Sequence, residues 1–386
     1  MKNRKKYIFF IVFSIILVAG FTQTNALDTF TKILDENLRG MPGGIFISEQ
    51  GDFERIISGG YILKENKIEP VQTEKATITI NKNTPEEYSF ELIKFIKDGS
   101  VISVQSSKEG AAHNLIVGTK KILFTDQAEL GLWVADINTL EPINIQPEKV
   151  NDISLKEIAE KKLDLLKQGK DPDSHILHWV SWPLLSPNES LVAFRSNRRN
   201  FPDNSKSSLW ITDVNGNTVE VAVEKEDVIP VMWLNNNEIC FVGENSYLKK
   251  VNINTGEISV LIDYKIKVNS YSPNKQYIMY QKVDGGDILP EMYVYNVQDG
   301  TNTQLKLPSG FKNIGFFGWD EKGSKVAFYI ADMEANIKLA VANLIVSQVV
   351  VLDAPNKTRF DEYIVPSWAG NRVIFSAGGK LYSTNN

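Results

Sequence analysis

The sequence predicts an all-β protein, a β-propeller of four-stranded antiparallel blades. Three observations carry this expectation. A short apolar strand containing an aromatic residue recurs at a nearly constant interval. A turn rich in Asn, Gly, Pro or Ser precedes each copy. A second strand of alternating character follows, ending in a tight-turn pair.

The recurring strand is Leu191-Val192-Ala193-Phe194, Ile239-Cys240-Phe241, Tyr277-Ile278-Met279-Tyr280, Val326-Ala327-Phe328-Tyr329 and Val373-Ile374-Phe375. With Phe194, Phe241, Tyr280, Phe328 and Phe375 as markers, the spacings are 47, 39, 48 and 47 residues. Aromatic residues stand before the turns at Trp182, Trp233, Tyr271, Trp319 and Trp368. The second strands end at Asn215-Gly216, Asn254-Thr255-Gly256 and Asp299-Gly300, which supply the positive φ that tight hairpins need. One such sheet cannot bury both of its faces, whereas stacked blades can. Closing the stack into a ring also removes exposed sheet edges. Each marker aromatic buried between sheets contributes on the order of 1.5–3 kcal/mol.

The same two-strand unit appears earlier as Ile122-Leu123-Phe124-Thr125 followed by Leu132 to Asn138. Between Phe124 and Phe194 lie about 25 residues more than one period. There the capping box Ser154-Leu155-Lys156-Glu157, apolar positions at Leu155, Ile158, Ala159, Leu163, Leu165 and Leu166, and the stop at Gly169 predict an inserted amphipathic helix over 155–168. Gly44 to Ser48 with Phe53 to Ser58 reads as another hairpin, and Ala76 to Ile80 as a strand. Residues 84–106 carry two signals: Thr84-Pro85-Glu86-Glu87 as a helix start, and Tyr88–Lys97, Asp98-Gly99, Ser100–Gln105 as a hairpin, the reading favoured by the neighbouring strands. Units centred near 46, 124, 194, 241, 280, 328 and 375 make seven blades, with six as the alternative because the first 110 residues are the least regular.

Residues 1–26 read as a secretory signal, leaving 27–386 as one propeller domain. The basic start Lys2 to Lys6 precedes the 15-residue apolar run Tyr7 to Phe21, with a small residue at Ala26 for cleavage. A helix of that length spans about 22 Å, short of the roughly 30 Å hydrocarbon core; an uncleaved anchor is the alternative. Cleavage would take the formal net charge from −5 to −9, which gives no global attraction to nucleic acid or anionic lipid. The one cysteine, Cys240, lies in an apolar strand and excludes a disulfide framework or a multi-thiolate zinc site.

The segment from Trp182 through Ser186-Pro187-Asn188-Glu189 to Phe194-Arg195-Ser196-Asn197-Arg198 resembles the repeat of TolB-like propellers, and Tyr271 to Tyr280 is similar to a second copy. The resemblance covers roughly 180–386. It departs where the family has Asp-Gly and this chain has Asn188-Glu189 and Asn274-Lys275. Asn tolerates the left-handed conformation that such a turn needs. The resemblance implies a secreted or periplasmic propeller that binds proteins.

No nucleophile elbow, phosphate loop, dinucleotide fingerprint or paired-cysteine motif is present, so no cofactor or metal is expected. The binding candidates are Arg195, Arg198, Arg199 and Asp203, in a long loop between two strands, and His175 and His178 just upstream. Arg198 and Arg199 suit bidentate binding of a carboxylate or phosphate; the structural alternative pairs Arg195 with a neighbouring acid. His175 and His178 share a face only in a helical turn, which Pro172 confines to a helix start; the alternative packs His178 and Trp179 on a blade. Val283 to Glu291 reads as a similar long hairpin loop, whose carboxylates lack calcium-loop spacing.

The sequence therefore reads as a secreted, monomeric, non-enzymatic propeller that binds a protein, peptide or cell-envelope ligand through rim loops or the channel mouth. The alternative is a propeller hydrolase or lyase with acid/base groups at the central channel. N-terminal sequencing of secreted material is expected to begin at Leu27; a mature chain beginning at Met1 would contradict cleavage.

Overall fold

The computed structural model describes residues 30–34, 45–49, 52–57, 61–64, 67–70, 72–80, 88–97, 99–106, 113–125, 131–145, 160, 163–170, 179–197, 207–217, 219–223, 226–362, 364–369 and 371–384. Among these residues 31 strands form eight antiparallel sheets, seven of four strands and one of three. After β1 (Phe30–Leu34), blade I holds β2 (Ile45–Glu49), β3 (Asp52–Ile57), β4 (Tyr61–Lys64) and β5 (Lys67–Pro70). Blade II holds β6 (Gln72–Ile80), β7 (Tyr88–Lys97) and β8 (Ser100–Ser106). Blade III holds β9 (His113–Val117), β10 (Lys121–Thr125), β11 (Leu132–Asp136) and β12 (Pro142–Asn144). Blade IV holds β13 (Ser181–Leu185), β14 (Leu191–Ser196), β15 (Ser208–Asp213) and β16 (Val219–Val223). Blade V holds β17 (Ile229–Trp233), β18 (Glu238–Val242), β19 (Leu248–Asn252) and β20 (Ile258–Ile262). Blade VI holds β21 (Ile266–Tyr271), β22 (Tyr277–Asp284), β23 (Asp287–Asn296) and β24 (Asn302–Leu305). Blade VII holds β25 (Lys312–Trp319), β26 (Lys325–Ala331), β27 (Ile337–Asn343) and β28 (Gln348–Leu352). Blade VIII holds β29 (Ser367–Ala369), β30 (Arg372–Ala377) and β31 (Lys380–Thr384).

The seven four-stranded sheets are the seven units read from the sequence. Residues 72–106 add the three-stranded sheet, whose β7–β8 hairpin turns at Gly99 with φ +79°. Blade VIII takes its fourth strand from the other end of the chain. β1 pairs antiparallel with β31, Phe30 opposite Thr384 and Thr31 opposite Ser383, which ties the start of the chain to its end. The first strands of neighbouring blades lie side by side (β9 with β13, β13 with β17, β25 with β29) and form the inner ring.

The core lies between blades. Six apolar clusters are described, and each is shared by two consecutive blades from II to VIII. Period-2 alternation within the central strands produces this division. In β18, Ile239 and Phe241 join the cluster with blade IV, while Cys240 and Val242 join the cluster with blade VI. Both faces of these strands are buried, so they read as continuous apolar runs. Phe124, Phe194, Phe241, Tyr280, Phe328 and Phe375 are fully buried, and each faces the preceding blade. Burial pushes the Cys240 thiol pKa far up, so it remains a neutral packing group.

Indole hydrogen bonds repeat across these interfaces. Trp233 Nε1 donates to the Leu184 carbonyl at 3.1 Å, Trp319 Nε1 to Ser270 Oγ at 2.8 Å, and Trp368 Nε1 to the Gly318 carbonyl at 2.9 Å. Each is worth about 1 kcal/mol. Gly318 must lack a side chain, because a Cβ there would lie 1.7 Å from the Pro366 carbonyl oxygen of the next blade.

Trp182, unlike Trp233 and Trp368, is not buried. It is 53% exposed at φ +51°, and Leu185 takes the position that Trp233 and Trp319 occupy. Three sequence expectations are corrected. In the Ser-Pro-Asn turns the positive φ falls on Glu189 (+57°) and Lys275 (+62°) rather than on Asn. Asn188 and Asn274 instead accept from the turn's own donors, Ser190 N at 3.1 Å and Gln276 N at 3.0 Å. Of the inserted helix, residues 163–167 are helical and 155–159 lie outside the described residues. It ends at Gly169 as read, with Lys170 N donating to the Leu165 carbonyl at 2.9 Å and Gly169 N to that of Leu166 at 2.9 Å. However, among its described apolar residues Leu165 alone faces the core, while Leu163 and Leu166 are 52% and 60% exposed. Finally, the supposed loop around 283–291 continues the β22–β23 ladder, Asp284 opposite Asp287.

Left-handed φ at a residue with a Cβ costs about 1–2 kcal/mol. At Glu189 the cost is offset, because its buried carboxylate bridges to blade III. It accepts from Thr119 N at 2.5 Å, Thr119 Oγ1 at 2.6 Å, Lys120 N at 3.0 Å and Lys121 N at 2.9 Å. Burial opposes the charge, but these hydrogen bonds together outweigh it and hold the carboxyl below the usual Glu range. The stabilisation is therefore complete above the unfolded value of about 4.3 and is lost as pH falls through the lower folded value. Between about pH 5 and pH 3 the unfolding temperature should fall more steeply for the native chain than for Glu189→Gln. Parallel curves would contradict this role.

Candidate functional site

The strand order separates two kinds of connection. In the blades whose four strands are consecutive, turns on one rim join the first strand to the second and the third to the fourth. They are short and internally bonded: Ser186 N donates to the Leu191 carbonyl, Ser272 N to that of Tyr277 and Asp320 N to that of Lys325, at 2.8–3.0 Å. Side chains also link these turns from blade to blade. Asn188 N donates to Asn236 Oδ1 at 3.1 Å, and Asn274 Nδ2 to the Lys322 carbonyl at 2.6 Å. The opposite rim carries the connections between blades and the hairpins between second and third strands. The two long connections flanking blade IV, 146–180 and 197–207, have neighbouring ends on this rim, since Ser181 at the start of β13 lies opposite Arg195 near the end of β14.

Arg195 gathers the ends of these excursions. Its Nε donates to Ser207 Oγ at 2.5 Å and its Nη2 to Asp227 Oδ1 at 2.8 Å, and its guanidinium carbon lies 5.1 Å from the centre of the Trp179 ring. Ser207 Oγ donates to the same Asp227 oxygen. Trp179, Asn197 and Ser207 are buried. One guanidinium thus fixes where the 146–180 segment enters blade IV, where the 197–207 hairpin returns, and where the chain passes to blade V. With side-chain exposures of 21% and 42% the Arg195–Asp227 pair is solvent-screened, so its energetic contribution is at most about 1 kcal/mol. Its effect is positional. Beside it, Lys249 Nζ pairs with Glu226, which also accepts from Glu244 N at 3.2 Å. Gly243 permits this approach, since a Cβ there would lie 2.0 Å from Glu226 Oε1.

Of the residues named from the sequence, Arg195 is placed in this cluster. Arg198, Arg199 and Asp203 fall in 198–206, and His175 and His178 in 171–178, all outside the described residues. Sequence reading missed Asp227 and Ser207. Asp227 lies 32 positions from Arg195, with no local spacing to announce the pair. Trp182 and Phe316 were also missed. They occupy equivalent places on β13 and β25, each at a break in register, each with positive φ (+51° and +62°), and 53% and 40% exposed. An aromatic three residues before the last residue of the first strand is the sequence signal they share.

Among the described residues no group of three or more His, Cys, Asp or Glu is placed to hold a metal ion, and no helix is long and apolar enough to cross a membrane. Nor do the shifted carboxyls form an acid/base pair. The hydrogen bond from Lys250 holds Glu238 down and raises Lys250 in turn, so both stay charged. Asp136, Asp299 and Asp332 are each lowered by hydrogen bonds within their own turns.

Repeating four-stranded sheets, cores shared between sheets and a last blade completed by the first strand define a β-propeller. The putative TolB of Agrobacterium tumefaciens is 11% identical over 82% of this chain and 98% of its own, with a TM-score of 0.43. An oligogalacturonate lyase in complex with manganese is 12% identical over 89% and 97%, at 0.48. The computationally designed Ika8 protein is 11% identical over 92% and 98%, at 0.51. These likenesses are of fold alone. No family model and no curated protein matches the chain.

Proposed function

We propose that this protein is an extracytoplasmic, non-enzymatic propeller that binds a protein, peptide or cell-envelope ligand through the rim bearing the 146–180 and 197–207 excursions. The observation that carries this reading is the asymmetry of the rims. One rim carries short turns that bond to each other, whereas the other carries two long connections whose neighbouring ends Arg195 anchors on Trp179, Ser207 and Asp227. Loops positioned by a rigid scaffold commonly carry binding. Arg195 acts as the positioning residue, and Arg198, Arg199, Asp203, His175 and His178 are the contact candidates. The basic and apolar start of the chain supports export.

The test is affinity capture from culture supernatant and envelope with residues 27–386 as bait, beside an Arg198→Ala/Arg199→Ala variant. The native bait should retain a partner that the double variant recovers at about tenfold lower yield or less. Equal recovery by both baits would remove the loop from the site. Absence of a partner, with turnover of a screened glycan or peptide, would replace binding by catalysis.

A further inference from the structure

On the rim of short turns, blades V and VI leave a cleft of about 450 Å³ between Asn235, Glu238, Lys250, Lys275, Gln276 and Gln298. Lys275 occupies the same strained turn position as Glu189, one residue after the Asn of a Ser-Pro-Asn turn. The two positions differ in one respect. The Glu189 carboxylate meets four donors from the preceding blade. The Lys275 ammonium meets the face of Tyr271, 4.5 Å from the ring centre, and among the described residues it has no hydrogen-bond acceptor or carboxylate. The other charges of the cleft cancel, since Lys250 Nζ pairs with Glu238 Oε1 at 2.6 Å, and Asn235 Nδ2 donates to the same carboxylate at 2.8 Å. One cation without a counter-charge therefore sits half-buried in a polar cleft, at a left-handed backbone position. Burial lowers the Lys275 pKa, consistent with a missing counter-charge.

We propose that the cleft between blades V and VI is a carboxylate-binding site. Lys275 supplies the ion pair, the Tyr271 ring holds the ammonium in place, and the side-chain amide of Gln276 lies at hand as a further donor. A carboxylate placed there completes at this interface the kind of bridge that Glu189 makes between blades III and IV. The site lies on the rim opposite the excursions, so it does not rest on the function proposed above.

The carboxylate has two possible sources, an acidic side chain of a peptide or a small organic acid. Titration calorimetry with acetyl-Glu-Glu-amide and with succinate distinguishes them, and competitive acylation read by peptide mass spectrometry locates the binding. We expect at least one of the two to bind saturably below about 10 mM and to slow acylation of Lys275. The Lys275→Met variant should weaken binding by about tenfold or more, while Lys275→Arg retains it. Lys275→Gly, which relieves the left-handed strain, should fold at least as well as the native protein and also lose the ligand, which separates loss of binding from loss of structure. Peptide binding alone assigns the site to a protein partner, and succinate binding alone to a metabolite. No saturable binding of either, or unchanged affinity in Lys275→Met and Lys275→Gly, would overturn the proposal.

Discussion

Among the described residues of blades II to VIII, no apolar cluster belongs to one blade. In β18 alternate residues serve different neighbours, Ile239 and Phe241 packing towards blade IV and Cys240 and Val242 towards blade VI. In β26, Val326, Phe328 and Ile330 pack towards blade VI, and Ala327 and Tyr329 towards blade VIII. A strand whose two faces are both apolar gains its burial only when a sheet lies on each side. Removing any blade would expose apolar surface on both of its neighbours, and an open stack would leave two ends uncovered. The hydrogen-bonded pairing of β1 with β31 closes the fold, since it makes the first and last strands of the chain parts of one sheet. The Trp hydrogen bonds and the contact of Gly318 with Pro366 then fix the spacing between inner strands.

The rigid frame divides the labour of the two rims. Turns that bond to their neighbours leave little freedom on one side, and Glu189, Asn188 and Asn274 stitch successive blades there. On the other side the chain departs from the frame at blade IV, and Arg195 fixes its points of departure and return. The propeller sets where a ligand can be met, while the segments it displays set which ligand that is. The cleft at Lys275 belongs to the stitched rim and uses its geometry differently. The position that closes one interface with an internal carboxylate leaves a cation at another.

Much of the frame was legible because its physics is local and repeated. The marker aromatics, the apolar runs around them and the Gly residues of the outer turns each follow from one strand's need to be buried or one turn's need for positive φ, as at Gly216, Gly256 and Gly300. The Tyr88–Gln105 hairpin was legible for the same reason. What escaped depends on partners distant in sequence. Nothing in Phe30 to Leu34 announces a strand 352 positions away at Ser383. Asp227 as the partner of Arg195 has no spacing rule. Trp182 also stands before its turn, but Leu185 takes the place of Trp233, and at the break in the β13 register Trp182 is left exposed. Leu163 and Leu166 matched a helical apolar stripe, yet both are exposed and Leu165 meets the core.

Ring closure can be measured directly. Thr31 and Ser383 are register partners across β1 and β31, and opposite residues in an antiparallel pair stand about 4.5–5.5 Å apart, within disulfide reach. The lone native cysteine, Cys240, is buried and stays out of the exchange. Under mild oxidation the double variant Thr31→Cys/Ser383→Cys should form an intramolecular disulfide, shown by mass spectrometry of the linked peptides, and should unfold at a higher temperature than its reduced form. Free thiols at both positions, or links formed only between molecules, would show that the ends of the chain do not share a blade and that the ring is not closed in this way.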